Sequence, residues 1–591
     1  MASPDQDTPP VLKAVRKRHS FIMRWTHWVN FPILAIMIWS GLLIYWANSV
    51  YTITIFGLRI FPFFPQGFFD SLHIPYRLAE GMSIHFLFMW FFAINGALYV
   101  LYTIFSGEWR QLVPNRRSFR EAWQVLLHDL HIRRIMPPQD KYNAAQRIAY
   151  TCLVLMGAGS LITGLAIYKP VQFSWLTALC GGYNLARAEH FILTIGYMVF
   201  FVIHVVQVLL AGWNKFRSAV AGFEVLPEKE EAGIELEKSA VSQTRAVNVL
   251  TNPADPATTG AITTLNGAKA NETAESVIEH SDRSPGTEEP ESGRTGKTPV
   301  TKELETGRNK GPVTNEPESG RNDGPVTKES ESGRVHKTPV KLVPEQVVNR
   351  RTVLSFIGFI TLGIVVNRSW KWLNNSPVEP EGVTGGARVP LRRAMEQNER
   401  IFQETFSNKH LVKTYPKSMA AKNVRVNSNI GMMDPNYDIS TWSLVVARLD
   451  GSQLKISMEQ LMELPETEIV FDFKCVEGWD QISWWGGVKF SDFIERFGLQ
   501  EEAKLNYVGL ATPDQGYYVG LEREAALHPQ TILAYHVNGE MLPYEHGSPL
   551  RLIIPVKYGI KNIKRIGSMV FSNNRPPDFW AENGYDYYSG L

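Results

Sequence analysis

Four histidines lie inside or beside long apolar stretches of the first third of the chain, where ionisable side chains are costly and usually functional. They are His27, His85, His190 and His204. His190 and His204 are 14 residues apart, which is almost four helical turns. They therefore lie on the same face of one helix, roughly 21 Å apart along its axis. Imidazole is a good ligand of iron. Pairing His85 with His190, and His27 with His204, gives the axial ligands of two haems at two depths.

Cys475 is the second candidate for chemistry, and it lies in the last third of the chain. Only three cysteines occur in 591 residues, and none lies in a CxxC pair or a zinc-ligand pattern. Cys475 follows an apolar, strand-like run and precedes a turn rich in Gly and Trp. A single cysteine is commonly a small buried hydrophobic residue. Its type and position alone therefore allow both a core residue and a metal ligand.

The histidines belong to a region with the features of a membrane domain. Four apolar stretches, each near the roughly 20 residues needed to cross a bilayer, cover about residues 28–50, 83–105, 148–168 and 191–212. Basic residues are concentrated before the first stretch, between the second and third, and after the fourth. This asymmetry predicts that the N-terminus and the end of the fourth stretch are cytoplasmic. His27 and His204 then lie near the inner surface, and His85 and His190 near the outer one.

Residues 15–220 resemble the dihaem membrane cytochrome b subunits of formate dehydrogenases and nickel-iron hydrogenases. The similarity rests on the Arg24-Trp-Thr-His27-Trp28 opening of the first stretch and on the 14-residue histidine spacing of the fourth. The resemblance implies that the four histidines ligate two b haems, which exchange electrons with the membrane quinone/quinol pool. No short motif identifies the residues of a quinone site.

The middle of the chain is polar and repetitive. No Phe, Trp or Tyr occurs between Phe223 and Phe356, and a Glu-(Ser/Thr)-Gly-Arg motif recurs at Glu291, Glu305, Glu318 and Glu331. Such a composition cannot bury enough apolar surface to fold, and the repeat is too short and too polar for a solenoid. We predict a disordered linker over residues 223–345 that serves as a spacer.

A fifth apolar segment follows the linker. Arg350 and Arg351 precede an apolar run of about 15 residues that ends near Val366. Paired arginines before a short apolar run are typical of a twin-arginine export signal. The alternative is a fifth membrane span with its basic flank inside. Both interpretations place the residues after about 370 outside the cytoplasmic membrane.

The last part of the chain reads as short strands and turns with two short helices, which predicts an α+β domain. It lacks the glycine-rich nucleotide fingerprints and the Gly-x-Ser-x-Gly elbow, so nucleotide chemistry and serine hydrolysis are not supported. The region resembles the molybdopterin-binding domain of the sulfite oxidase superfamily. The resemblance is carried by the blocks that begin at Cys475 (Cys-Val-Glu-Gly-Trp), Ala511 (Ala-Thr-Pro-Asp-Gln-Gly-Tyr), Glu545 (Glu-His-Gly-Ser-Pro-Leu-Arg) and Asn562 (Asn-Ile-Lys).

This resemblance implies roles for individual residues. Cys475 would ligate molybdenum as a thiolate, and Glu477 would border the substrate pocket, although a helix-cap or surface role fits Glu477 equally well. A basic side chain suits an anionic phosphate. The residues implied to hold the pterin and its phosphate are Asn427, Asn429, Thr512, His546, Arg551, Asn562, Ile563 and Lys564.

We therefore expect a multidomain chain with a four-helix transmembrane bundle and an α+β sulfite-oxidase-type domain. The parts are a cytoplasmic tail (1–20), the dihaem cytochrome b domain (21–222), the disordered linker (223–345), the fifth segment (346–372), a connector (373–423) and the molybdopterin domain (424–591). The formal net charge is only +2, which gives no reason to expect nucleic acid as a partner.

The expected activity is oxygen-atom transfer by a molybdenum enzyme in the bacterial cytoplasmic membrane, with its catalytic domain on the periplasmic side. The Cys-Val-Glu-x-Trp form resembles the periplasmic methionine-sulfoxide reductase branch, and no Arg follows Cys475 before Arg496. We therefore favour reduction of an S- or N-oxide with electrons from quinol. The alternatives are sulfite oxidation that delivers electrons to quinone, and a non-catalytic cytochrome b electron-transfer protein.

Overall fold

The computed structural model describes residues 11–55, 58–72, 77–129, 132–135, 142–226, 340–378, 388–432 and 437–591. Most of the predicted linker, including all four repeats, lies outside the described residues. The first ten residues of the predicted cytoplasmic tail lie outside them as well.

Long helices dominate the part of the chain that was predicted to be membrane-embedded. Up to residue 221 the helices are α1 (Phe21–Tyr45), α2 (Gln66–Leu72), α3 (Leu78–Phe105), α4 (Trp109–Leu112), α5 (Ser118–Asp129), α6 (Ala144–Tyr168), α7 (Ser174–Leu179), α8 (Tyr183–Ala211) and α9 (Trp213–Ala221). A further helix, α10, covers Glu345–Asn375. In the described part of the chain, five helices are long and apolar enough to cross a membrane: α1, α3, α6, α8 and α10.

Each of the four predicted spans overlaps one of these helices, and each helix begins a few residues before its span. The first span runs past the end of α1 at Tyr45, and the fourth ends one residue after α8. Ser20 caps α1 by accepting a hydrogen bond from the Met23 amide, and Asn143 and Gln146 form a capping box at the start of α6. The fifth apolar run lies in the much longer helix α10, because the polar residues on both sides of the run continue the helix. The sequence pattern therefore located the apolar cores but not the helix ends.

A small three-stranded sheet joins the two described ends of the predicted linker. Its strands are β1 (Leu12–Lys17), β4 (Phe223–Val225) and β5 (Val340–Pro344), in the order β4-β1-β5, and a separate hairpin is formed by β2 (Thr52–Ile55) and β3 (Leu58–Pro62). Val15 of β1 pairs with Val225 on one side and with Lys341 on the other. Strand β4, which precedes residues 227–339, and strand β5, which follows them, therefore lie only about two strand spacings, or roughly 10 Å, apart.

Replacing residues 227–339 by a short Gly/Ser loop is therefore expected to leave folding and activity intact. The sheet already holds the two ends close together, and closing a shorter loop costs less entropy. Quinol-linked turnover and the thermal midpoint of the shortened enzyme test this, with a loop of scrambled sequence and native length as the control. Loss of turnover in the shortened enzyme, but not in the scrambled control, would support the spacer function that the sequence predicted.

The C-terminal domain is built from two sheets, which confirms the predicted α+β class. Its strands are β6 (Leu444–Ala447), β7 (Gln453–Ile456), β8 (Thr467–Lys474), β9 (Asp480–Lys489), β10 (Tyr507–Ala511), β11 (Tyr518–Glu522), β12 (Ile532–Val537), β13 (Glu540–Met541), β14 (Arg551–Ile553) and β15 (Ser568–Ser572). One sheet has the order β11-β10-β15-β6-β7, and the other has the order β13-β12-β9-β8 with β14 paired to β12. The helices are the short α12 (Met458–Met462), α13 (Phe490–Arg496), α14 (Arg523–Ala526) and α15 (Phe579–Glu582).

Helix α11 (Val389–Thr405), in the predicted connector, binds the C-terminal domain to the helical bundle. On one side the Trp90 indole of α3 donates a 2.6 Å hydrogen bond to the Asn398 side chain. On the other side the buried Arg392 guanidinium donates to the backbone oxygens of Tyr585 and Ala581. The described residues up to 226 and from 340 onward belong to one compact unit. The connector is therefore an anchoring element rather than a passive link.

The C-terminal domain packs against one end of the bundle. Lys169, just after α6, is fully buried and donates a 2.6 Å hydrogen bond to the Gly590 oxygen. Leu78 and Met82, in the first turns of α3, share an apolar cluster with Val476 of the C-terminal domain. This is the end of the bundle that carries His85 and His190, whereas the β4-β1-β5 sheet lies at the start of α1, near His27.

Candidate functional site

The four predicted histidines form two pairs in the bundle, as their spacing required. The ring centroids of His85 and His190 are 6.2 Å apart, and those of His27 and His204 are also 6.2 Å apart. Two imidazole nitrogens that each lie about 2.0–2.1 Å from one metal leave ring centroids roughly 6 Å apart. The spacing of both pairs therefore fits a shared axial metal.

Hydroxyl groups hold the rings of His85 and His190, called the outer pair below. Ser40 Oγ lies 3.0 Å from Nδ1 of His85, and Thr163 Oγ1 lies 2.9 Å from Nδ1 of His190. Each hydroxyl already donates its own hydrogen to a backbone oxygen one turn earlier. The hydroxyl oxygens therefore accept from Nδ1–H, which leaves Nε2 of each histidine free to ligate a metal. The sequence interpretation missed Ser40 and Thr163, because a hydroxyl at helical spacing carries no distinctive signal.

The outer pair also has space around it because small residues face the rings. A Cβ added at Gly41 would lie 3.4 Å from Cε1 of His85, and one at Gly164 would lie 3.2 Å from Cε1 of His190. Because glycine has no side chain, space is left next to each of these two histidine rings. A planar macrocycle between the two histidines needs this kind of clearance.

Cys475 lies at the end of β8, on a tight turn. Its amide donates to the Trp479 oxygen, and its own oxygen accepts from Gly478, whose φ of +89° suits glycine. The thiol is buried, and burial raises its pKa to about 12. A neutral thiol is a poor nucleophile, whereas a bound metal removes the proton outright. The buried thiol is therefore a poor nucleophile by itself, whereas ligation to a metal is compatible with its burial.

A cavity of about 280 Å³ opens beside Cys475. Five predicted site residues line it: Cys475, Glu477, Asn427, Asn562 and Lys564. The structure adds side chains to which the sequence interpretation gave no role. Trp479 lies in the Cys475 block itself, whereas the others come from loops distant in sequence from the cysteine: Arg425, Tyr517, Trp580 and Tyr585.

Three buried basic side chains lie near this cavity. Burial holds the pKa of His546 down to about 4, that of Arg551 to about 9 and that of Lys564 to about 7. Nδ1 of His546 and Nε of Arg551 are buried and have no hydrogen-bond partner among the residues that the structure describes. Lys564 Nζ donates to the backbone oxygens of Ser428 and Glu545. A bound anion would pair with the Arg551 guanidinium and the Lys564 ammonium group and would favour protonation of His546, so the residues present fit a phosphate.

Other predicted residues lie away from the cavity. Asn429 is exposed and is not among the residues that line it. The Ile563 side chain belongs to the apolar core, where it is fully buried. The Thr512 hydroxyl is engaged within its own turn, where it donates to Asp514 and accepts from the Tyr517 amide. Lys474, which precedes Cys475, forms a 2.5 Å ion pair with Asp472 and does not line the cavity.

The first turns of α8 contact the turn that follows Cys475. Asn184 Nδ2 donates a 2.8 Å hydrogen bond to Asp480 Oδ2, and Arg187 lies against Gly478. Burial, together with the nearby Asp472 carboxylate, raises the pKa of Asp480 to about 6. His190 follows Arg187 by one helical turn. One helix therefore carries a ligand of the outer pair and also borders the Cys475 turn.

Replacing Lys564 by methionine is expected to weaken retention of an anionic cofactor by about 10-fold to 100-fold, because a charge-assisted hydrogen bond to a buried anion is lost. The molybdenum content of the purified variant measures the effect. Lys504→Met is the control, since Lys504 is exposed and pairs only with Glu501. An unchanged metal content in Lys564→Met would show that Lys564 does not hold the cofactor.

Comparisons with known protein families divide the chain as the geometry does. Residues 18–221 match the family model of the prokaryotic cytochrome b561, and residues 431–580 match that of the oxidoreductase molybdopterin binding domain.

Three curated proteins illustrate the similarity. The putative protein-methionine-sulfoxide reductase subunit YedZ1 of Azospira oryzae is 33% identical over 186 residues, which are 31% of this chain and 70% of that protein. The protein-methionine-sulfoxide reductase catalytic subunit MsrP of Xanthomonas campestris pv. campestris is 31% identical over 169 residues, or 26% of this chain and 52% of MsrP. The oxidoreductase YuiH of Bacillus subtilis is 36% identical over 153 residues, or 26% of this chain and 76% of YuiH. The chain thus spans only about half the length of this MsrP.

Proposed function

Because the chain belongs to the molybdopterin-binding oxidoreductases in its C-terminal part and to the prokaryotic cytochromes b561 in its N-terminal part, we propose that it reduces a sulfoxide with electrons from membrane quinol. The enzyme is a membrane-associated molybdenum oxidoreductase that uses molybdopterin and haem b. The finer assignments of haem number, electron route, substrate and side of the membrane are part of this proposal.

The two histidine pairs support two haems. His85 with His190 and His27 with His204 have equal ring spacings, and both pairs lie in the bundle that matches the cytochrome family. When bound, haem carries single electrons, and molybdenum with its pterin exchanges an oxygen atom with the substrate. The chain contributes the ligand nitrogens and holds the outer rings through the hydroxyls of Ser40 and Thr163.

The cavity beside Cys475 supports the catalytic assignment, and this is the observation that carries the proposal. Cys475 supplies a soft thiolate to the metal. His546, Arg551 and Lys564 supply buried donors for the pterin phosphate, while Asn427 and Asn562 face the same cavity as the thiol. Glu477 lines the cavity and accepts a 2.9 Å hydrogen bond from the Trp479 indole, so we assign it to the substrate pocket rather than to a helix cap.

The charges around the cavity favour a sulfoxide over sulfite. Arg425 and Lys564 are the basic side chains among the residues that line it, and Lys564 is already held by backbone oxygens. Glu477 adds a negative charge that would repel a sulfite dianion. Similarity to methionine-sulfoxide reductases supports the same choice. The enzymatic character of the relatives speaks against a non-catalytic cytochrome b.

The orientation follows from the basic residues. Their concentration at the inner ends of the apolar helices supports a cytoplasmic location for the β4-β1-β5 end of the bundle. The C-terminal domain packs at the opposite end, next to His85 and His190. We therefore assign the catalytic domain to the periplasmic side of the cytoplasmic membrane, with the outer pair as its electron donor.

Two assays on purified enzyme in detergent test the proposal. Quinol oxidation with methionine sulfoxide is compared with quinone reduction by sulfite, and a reduced-minus-oxidised spectrum with metal analysis is recorded on the same sample. We expect sulfoxide-dependent quinol oxidation, a b-type spectrum and about one molybdenum per chain. Turnover with sulfite alone would reverse the direction of electron flow and overturn the sulfoxide assignment.

A further inference from the structure

Two opposite charges flank Trp479 at the cavity beside Cys475. The Arg425 guanidinium carbon lies 4.5 Å from the centre of the Trp479 ring, and Glu477 Oε2 accepts from the nitrogen at the edge of that ring. Both residues line the cavity. Among the described residues neither forms an ion pair, so both charges are available to a ligand.

The two charged side chains also line the same cavity as the Cys475 thiol. A substrate whose sulfur is directed to the thiol side of the cavity would therefore meet one cationic and one anionic group. Aromatic side chains complete this wall of the cavity, namely Trp479, Tyr517, Trp580 and Tyr585.

The helical bundle covers one side of the turn that carries these groups. Asn184 binds Asp480 at one end of the turn, and a Cβ at Gly478 would lie 2.8 Å from a terminal nitrogen of Arg187. Val476 belongs to the same apolar cluster as Leu78 and Met82 of the bundle. A substrate therefore reaches Cys475 through the cavity of about 280 Å³, which has room for a molecule of the size of an amino acid.

Building on the sulfoxide reduction proposed above, we propose that the substrate is a free, zwitterionic α-amino acid S-oxide, represented by free methionine sulfoxide. Arg425 binds its carboxylate, Glu477 binds its ammonium group, and the aromatic wall contacts the thioether chain. The S–O bond breaks, two electrons from quinol and two protons are consumed, and the products are the thioether amino acid and water.

Dye-linked kinetics on the full enzyme test this inference with three sulfoxides: free methionine sulfoxide, its N-acetyl amide and dimethyl sulfoxide. For the wild type we expect a lower KM for the free amino acid than for the uncharged amide. Arg425→Gln should raise the KM for free methionine sulfoxide by roughly 10-fold to 100-fold, as expected when a charged substrate group loses its partner. The KM for dimethyl sulfoxide should stay the same, and Arg425→Lys should recover part of the loss.

Lys422→Gln is the matched control, because Lys422 is an exposed base three residues earlier that does not line the cavity. Equal KM values for the free amino acid and its amide, or an unchanged KM in Arg425→Gln, would overturn the zwitterion assignment while leaving sulfoxide reduction in place. Loss of molybdenum from Arg425→Gln would make Arg425 a cofactor ligand and would also overturn it. A wild-type enzyme that reduces none of the three sulfoxides would instead contradict the proposed function.

Discussion

Cys475→Ser is expected to eliminate oxygen-atom transfer with any electron donor. The serine hydroxyl is a hard, protonated ligand, whereas molybdenum in this site requires a soft thiolate. Loss of an outer-shell partner of a metal ligand already lowers activity by about 10-fold to 100-fold. The loss of the ligand itself should exceed that range, and turnover with reduced dye and methionine sulfoxide measures it.

The haem spectrum of Cys475→Ser should be unchanged, because the thiol lies outside the histidine pairs. Cys180→Ser provides the control, since Cys180 is also buried but lies in the bundle, at the end of α7. Dye-linked turnover of Cys180→Ser should match that of the wild type. Wild-type turnover in Cys475→Ser would exclude thiolate ligation and return Cys475 to a purely structural role.

His190→Ala is expected to separate quinol-linked from dye-linked activity. Removing one ligand of the outer pair should lower the b-type absorbance to roughly half. Electrons from quinol would then have no carrier between the inner pair and the catalytic domain, so quinol-linked turnover should fall below detection. A soluble dye that reduces the catalytic domain directly should still support methionine sulfoxide reduction.

Two further variants sharpen this test. His190→Met keeps a possible iron ligand and should retain part of the absorbance with a shifted potential. His204→Ala removes a ligand of the inner pair from the same helix, so it controls for damage to α8. Wild-type quinol-linked turnover in His190→Ala would show that electrons reach the catalytic domain by another route.

Periodicity and motif order made the helices and the metal-ligand candidates predictable. His190 and His204 follow from spacing on one helix, and Cys475 follows from a local block of sequence. Arg425 could not be found in this way, because its position over Trp479 depends on a loop 54 residues away in sequence meeting the end of β8. Non-local contacts of this kind leave no periodic signal.

One interpretation from the sequence needs revision for a physical reason. The linker was predicted to serve as a spacer, but Val225 and Lys341, from its two described ends, both pair with Val15. The distance between the bundle and the catalytic domain is therefore set elsewhere.

Helix α8 sets the distance between the bundle and the catalytic domain, which bears on the rate of electron transfer between them. Tyr183, its first residue, lies beneath the ammonium group of Lys474, and His190 follows seven residues later, roughly 10 Å along the axis. A rigid helix thus fixes the separation of the two redox sites that we propose, so no diffusional encounter would precede electron delivery between them. Intramolecular reduction of the catalytic domain should therefore proceed at a rate independent of enzyme dilution and of ionic strength, unlike electron transfer between separate carrier proteins.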